Sequence, residues 1–283
     1  MVDIVTDSCA DLSPELIHRF NVRVLPLQVF IDNRTIPDGS ISPQELFRLV
    51  TKTGELPKTS APSIKEFLEF FEPSDEIIYI GISAKLSATL PNGLLAAQQL
   101  PHKKIHIIDS KNLSTGIGLL VLKAAELRDM GWTAEQIVHE IRNTVPRVHT
   151  SFVIETMEYL YKGGRCTALQ AIVGSVLKIR PIIEVRPDGT LGVKAKIRGT
   201  RVKALDTMLE DFRSHLPHLD QHRVFVTHTG CDDDAAYLVE SIKAMAPVEE
   251  VCVTQAGATI SSHCGPDTIG ILYIADAHSN AEA

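Results

Sequence analysis

Three short segments concentrate side chains able to hold an anion: Thr59-Ser-Ala-Pro-Ser63, Ile82-Ser-Ala-Lys-Leu-Ser-Ala-Thr89 and Gly257-Ala-Thr-Ile-Ser-Ser-His-Cys-Gly-Pro266. Brought together, they would form a small patch of neutral donors with one histidine. Such a patch suits a singly charged carboxylate, whereas a polyphosphate calls for Lys, Arg or a metal ion. The second segment follows a short apolar run, Ile77 to Ile82, and precedes a helical pattern, Leu94 to Leu100. Free backbone N–H groups and the helix dipole favour an anion at such a turn, and Ser87 and Thr89 add side-chain donors. The same hydroxyls would equally serve to cap the helix.

Other chemistry has weaker support. The chain carries no Gly-x-x-x-x-Gly-Lys-Ser/Thr loop, no Gly-x-Gly-x-x-Gly after its first strand and no Gly-x-Ser-x-Gly elbow. The glycine pair in Ser114-Thr-Gly-Ile-Gly118 is by itself a poor phosphate signal. His215, His218 and His222 are closely spaced, but Pro217 and Asp220 put them in a polar connection where solvated histidines are expected rather than a metal site. His228 is expected at the surface or in the core. Cys264 beside His263 invites a thiolate reading, but with no third residue to orient the pair a buried structural cysteine is expected. Two further readings of these segments stay open: a serine-dependent hydrolase or acyltransferase using Ser87 or Ser83 with His263, and a small-molecule phosphate binder at the loop after the strand Ile77 to Ile82.

The elements that would position these segments alternate between strand and helix. Asp3 to Ser8 reads as a strand and Glu15 to Phe20 as a helix, opened by Ser13 and Pro14. Val22 to Ile31 reads as one strand with Pro26 inside it, at an edge or bulge. A capping box at Ser42-Pro-Gln-Glu45 opens a helix through Val50, and a hydroxyl-rich loop from Pro57 to Ser63 precedes a helix to Phe71. Prolines 57 and 62 bias Leu56 and Ala61 to extended geometry, which fixes the directions of Thr59 and Ser60. Ile77 to Ile82 reads as a buried parallel strand and Lys104 to Asp109 as another strand, and helices follow over Leu119 to Met130 and from Thr133 to about Val145. Ligands sit beyond the carboxyl ends of the strands in such sheets.

From residue 149 the pattern changes. A strand at His149 to Ile154 leads to a short helix, Glu155 to Tyr161, the turn Lys162-Gly-Gly-Arg165 and a helix from Thr167 to about Ile179. Pro187-Asp-Gly189 joins a hairpin, Pro181 to Val185 and Leu191 to Ile197. A helix from Thr200, strands at Arg223 to Thr227 and Val251 to Thr254, a helix at Ala235 to Ala244 and a last strand, Thr268 to Ile274, complete a mixed sheet. The expected architecture is α/β with two domains: a parallel-sheet α/β/α domain over 1–148 and a mixed-sheet α/β domain over 149–283.

Composition narrows the function. Of 283 residues, 44% are hydrophobic and 22% charged, with net charge −7, which argues against a protein that holds nucleic acid. No run approaches the roughly 18 apolar residues of a membrane span, and the amino terminus enters a strand without a signal-peptide pattern. The five scattered cysteines form no C-x-x-C pair, which favours a reducing compartment, so a cytoplasmic protein without a metal or cofactor is expected.

Nearly the whole chain resembles the DegV family of bacterial fatty-acid-binding proteins, which includes the FakB subunits of fatty acid kinase. The resemblance rests on Val5-Thr-Asp-Ser8, the first two segments above, Ile108-Asp-Ser110 before Gly116-Ile-Gly, Lys162-Gly-Gly-Arg165, Gly174-Ser-Val-Leu-Lys-Ile-Arg-Pro181, Ile197-Arg-Gly-Thr-Arg-Val-Lys-Ala204 and Ser262-His-Cys-Gly-Pro266, in that order. It implies one long-chain fatty acid such as palmitate or stearate between the two domains, its tail in an apolar tunnel. The carboxylate would be held by Thr59 and Ser87, with His263 in the same network and Ser60 and Thr89 beside it. It also implies a non-catalytic role: the acid is presented to a separate kinase catalytic subunit, with Arg165, Arg198 and Arg201 resembling positions that meet that partner. A monomer with transient membrane contact is expected. The chain departs from the family pattern at Leu86-Ser-Ala-Thr89 and Gly265-Pro-Asp267, where Ala88 and Asp267 replace the usual glycines. Asp267 would either pair with His263 or disfavour a carboxylate nearby.

Overall fold

The computed structural model describes residues 2–171 and 179–276. In the first half, β1 (Asp3–Asp7) leads to α1 (Pro14–Arg19), β2 (Arg23–Leu25), β3 (Gln28–Ile31) and β4 (Arg34–Pro37). Next come α2 (Pro43–Thr53), β5 (Lys58–Ser60), α3 (Ile64–Phe71), β6 (Glu76–Gly81) and α4 (Thr89–Gln98). β7 (Lys104–Asp109), α5 (Thr115–Asp129) and α6 (Ala134–Thr144) complete it. The second half begins with β8 (Val148–Val153), α7 (Glu158–Lys162), β9 (Ile179–Val185) and β10 (Leu191–Arg198). It ends with α8 (Arg201–Ser214), β11 (Leu219–His228), α9 (Asp232–Met245), β12 (Glu250–Gln255), α10 (Ala258–Cys264) and β13 (Ile269–Ala275).

The α/β reading holds. A parallel sheet runs β2-β1-β6-β7 and a mixed sheet runs β10-β9-β8-β13-β11-β12. Ile77, Ile78, Tyr79 and Ile80 are buried, as a parallel strand covered on both faces requires. α5 is buried along almost its whole length and lies against β1 and β6 of one sheet and β8, β11 and β13 of the other. A helix apolar on every side has to sit inside the protein. Around it, Ile78 and Ile80 from one sheet and Phe152 and Leu272 from the other belong to a single core.

Several local expectations are corrected. The strand expected over Val22 to Ile31 is two strands in different sheets. Pro26, which has no N–H to donate, stands at the break between β2 and β3. β3 is the centre of a third, antiparallel sheet, β4-β3-β5, and the loop expected around Thr59 supplies its strand β5. The short helix expected at Glu155 to Tyr161 is α7, begun at Glu158. Of the helix expected from Thr167 to about Ile179, Thr167–Ala171 is a 3₁₀ helix and β9 already begins at Ile179. The stretch between, with most of Gly174 to Pro181, lies outside the described residues. Ala258–Cys264, expected only as a hydroxyl-rich segment, is the helix α10.

His218 and His222 are exposed, as expected of surface histidines, and His222 is also held by carboxylates. His222 bridges Glu249 at 2.7 Å and Glu126 at 3.0 Å, and these carboxylates hold its pKa above the ordinary histidine value. The His215 ring lies against His149 and Tyr273. His228 is a core histidine whose Nδ1 accepts from the Gly230 and Cys231 N–H groups. Among the described residues, no group of three or more His, Cys, Asp or Glu could hold a metal ion, and no helix is long and apolar enough to cross a membrane.

Candidate functional site

Thr59, Ser87 and His263 line one cavity of about 250 Å³. Its wall combines residues from both sides of the expected 148/149 boundary. Leu27, Ile82, Leu86 and Leu113 come from the first half, and Leu160, Leu191 and Ile260 from the second. The polar groups are few and the rest is aliphatic, which is the make-up of a small-molecule site. A smaller void of about 20 Å³ adjoins it and shares Leu113, Ile260 and Cys264.

Each polar side chain is set by its element. Thr59 is the middle residue of β5 and pairs with Val29 of β3, so its side chain faces opposite to those of Lys58 and Ser60. Its Oγ1 lies 2.8 Å from His263 Nε2. His263 is the penultimate residue of α10. Burial, reinforced by the Arg165 guanidinium, pulls its pKa down to about 4, so the imidazole is neutral at neutral pH. Ser87 precedes α4; its Oγ accepts the Thr89 N–H at 3.2 Å and lies 2.8 Å from Thr89 Oγ1. The loop carrying Ser87 is anchored from β1. Buried Asp7 accepts the Cys9 N–H with one oxygen and the Tyr79 hydroxyl (2.6 Å) and Ile82 N–H (2.9 Å) with the other.

The other expected residues fall elsewhere. Thr89 is fully buried behind Ser87 and Ser60 points away; neither lines the cavity. Arg165, expected at a partner surface, lines the cavity, and its Nη1 donates to the Gly163 carbonyl. The turn before it explains this. Gly164 has φ 71°, which favours glycine, and a Cβ at Gly163 would stand 2.6 Å from His263 Nδ1. Arg198 is exposed. Arg201 is held internally: Nε donates to Asp234, Nη1 to Glu155 at 3.2 Å and Nη2 to the Asp267 carbonyl at 2.7 Å.

The two departures from the family pattern are also placed. Ala88 has φ −75°, which any L-residue adopts without strain, and it lines the cavity. Asp267 is exposed and makes no hydrogen bond to His263, whose Nδ1 is buried without a partner among the described residues. Cys264 is buried, its thiol pushed up to about 12 mainly by burial, so it is a structural cysteine. The sequence reading missed Thr259, a buried residue that lines the cavity one helical turn before His263. The spacing of four from His263 was the available signal, but only within a helix.

The whole chain is similar to known proteins. The profile of the DegV family, described as uncharacterised proteins, matches residues 1–276. A DegV domain-containing protein of Caldanaerobacter subterraneus is 31% identical over 276 residues, covering 96% of this chain and 98% of that one. The solved structure of a DegV family protein from Thermus thermophilus, described for its fatty acid binding, superimposes with a TM-score of 0.90 at 33% identity, over 97% of this chain and 99% of that one. DegV from Bacillus subtilis, described as a fatty acid binding protein, gives 0.87 at 28% identity, over 97% and 99%.

Proposed function

The chain belongs to the DegV family, and from that premise we propose that it binds one long-chain fatty acid in the cavity between its halves and presents the carboxylate to a separate kinase for acyl-phosphate formation. The observation that carries the reading is the convergence of Thr59, Ser87 and His263 on one otherwise aliphatic cavity. Thr59 and Ser87 can each donate a hydroxyl hydrogen to a carboxylate oxygen, and the neutral His263 ring holds Thr59 in place. Arg165 stands on the same wall, where its fixed charge favours an anion.

Magnitudes divide the work. Burying a chain of about 16 carbons at ~0.8 kcal/mol per methylene gives an upper limit of about 12 kcal/mol. Each hydrogen bond to a carboxylate adds about 1.5–3 kcal/mol before desolvation of the ion is subtracted. The tail therefore sets affinity and the hydroxyls set orientation. The cavity and its neighbouring void are small for a full-length tail, so the wall at Leu113, Ile260 and Cys264 has to part to admit it.

The hydrolase reading finds less support. Ser87 Oγ bonds to Thr89 rather than to His263, and the Ser83 hydroxyl donates to the Gly189 carbonyl at 2.9 Å. An imidazole with its pKa near 4 is a weak general base at neutral pH. Arg198, exposed on the surface, is the better placed of the distal arginines to meet a partner.

The test is acyl-phosphate formation with a fatty acid kinase catalytic subunit, ATP and palmitate. Wild-type protein should support it, and Ser87→Ala should bind palmitate yet support it at a reduced rate. An unchanged rate with Ser87→Ala removes the orienting role of that hydroxyl.

A further inference from the structure

α10 carries His263 near one end, and its other end is held by two carboxylates from the first half of the chain. The Gly257 N–H donates to Asp11 Oδ1 at 2.7 Å and the Ala258 N–H to Asp38 Oδ1 at 2.7 Å. Both acids are buried, 6% and 7% exposed. The second oxygen of Asp11 accepts from Ser114 Oγ at 2.6 Å; that of Asp38 is buried without a partner among the described residues. The grip leaves no slack, since a Cβ at Gly257 would stand 2.9 Å from Asp38 Oδ1 and 3.2 Å from Asp11 Oδ1.

A helix start leaves four N–H groups free, and an uncharged Ser or Asn cap would serve one of them without the desolvation penalty of a buried carboxylate. Here two buried acids do this work, and topology shows what their grip holds in place. Asp38 directly follows β4, and Thr59 lies on β5, the two outer strands of the sheet β4-β3-β5. α10 packs on β3 and β5. It is tied to one edge of this sheet through Asp38 and Ala258, and to the other through Thr59 and His263. Five residues of helix rise about 7.5 Å and two strand spacings span about 9.6 Å, a difference of about 2 Å that the Asp38 and His263 side chains bridge.

We propose that Asp11 and Asp38 are positioning residues of the head-group site: Asp38 clamps the start of α10 to the β4 edge of the β4-β3-β5 sheet and Asp11 clamps it to the turn after β1, and together they fix His263 against Thr59. The proposal rests on the fatty-acid reading above. Loosening the clamp lets a short, rigid helix pivot and misplaces the imidazole near its far end. Of the apolar lining only Ile260 and Cys264 ride on α10, while Leu27, Ile82, Leu86, Leu113, Leu160 and Leu191 stay on other elements. The clamp therefore weighs more on recognition of the acid group than on the tail's contribution.

The experiment compares binding of palmitic acid and hexadecanol, the same tail with and without a carboxylate, by titration calorimetry at pH 7. Asp38→Ala should weaken the acid by at least about tenfold, one step of 1.4 kcal/mol, with a clearly smaller loss for hexadecanol, and Asp38→Asn, which keeps the acceptor oxygen, should restore the wild-type ratio. If Asp38→Ala does not fold, Asp38→Glu takes its place: it keeps the charge but displaces the carboxylate, and should show the same selective loss. Equal losses for acid and alcohol, or no loss for either, overturn the positioning role. Failure of the wild-type protein to bind either ligand instead overturns the fatty-acid reading itself.

Discussion

Thr59 Oγ1 and His263 Nε2 meet at 2.8 Å although 204 residues separate them. The bond links β5 to α10 across one wall of the cavity, so part of the proposed head-group site is preorganised. Thr59→Val keeps the shape of the side chain and removes the hydroxyl. The His263 ring, already unpaired at Nδ1, then loses its partner at Nε2. Leaving a buried polar group unsatisfied costs about 1–3 kcal/mol, and scanning calorimetry should record a lower Tm. A Tm equal to that of the wild type would mean the bond contributes nothing to the fold.

His263 makes stability and ligand binding depend on pH. Its folded-state pKa, about 4, lies below the ordinary histidine value, so the stability it contributes is present above about pH 6.5 and is lost as pH falls toward the folded value. His149, pulled down to about 4 chiefly by burial, acts in the same direction. A carboxylate placed beside His263 favours the imidazolium. Palmitate binding should therefore raise the His263 pKa, read from its imidazole NMR signals, and should take up protons between pH 4 and 6.5. A pKa unmoved by saturating palmitate would put the carboxylate elsewhere.

Asp11 carries the opposite slope. Burial, with Asp38 and Asp7 adding to it, holds its pKa well above the ordinary carboxylate range. The folded protein therefore binds this proton more tightly than the unfolded chain does. The stabilisation is present below about pH 4 and is lost as pH rises through the folded value. Asp11→Asn can still accept the Gly257 N–H, and its amide can donate to Ser114. Its Tm relative to wild type should thus climb between pH 5 and pH 8. A difference independent of pH would show that Asp11 is ionised over that whole range.

Ile260 borders both the main cavity and the adjoining void. Ile260→Phe adds bulk where empty space exists, so it should cost the ligand-free protein no more than the ~1–3 kcal/mol of overpacking while blocking the tail. Palmitate affinity should fall at least about tenfold, and a short acid such as octanoate should be affected less. Equal losses for both acids would place the tail on another path.

The alternation of strand and helix was legible because β6, buried on both faces, is a continuous apolar run and α5 opens with one, Gly116 to Leu122. Thr59, Ser87 and His263 were legible as residue types beside bends. α10 was not. Ser and Thr are poor helix formers in isolation, but here Ser262 Oγ donates to the Ala258 carbonyl at 2.7 Å and Ser261 Oγ to that of Ala256 at 3.2 Å, so burial and back-bonding override propensity. With α10 hidden, the grip of Asp11 and Asp38 on it was hidden too, since those bonds span more than 200 residues. Ser60 and Thr89 share the local chemistry of their neighbours and differ only in direction, which a sequence pattern does not carry. Arg165 reads as a surface charge until Gly163 and Gly164 are seen to fold the turn onto His263.

Native mass spectrometry tests the central claim most directly. The intact protein, purified without denaturation, should carry the added mass of one long-chain fatty acid, released when the chain is unfolded. An unmodified mass that stays unmodified after incubation with palmitate would contradict the carrier reading, and an adduct that survives unfolding would point to a covalent intermediate on the chain.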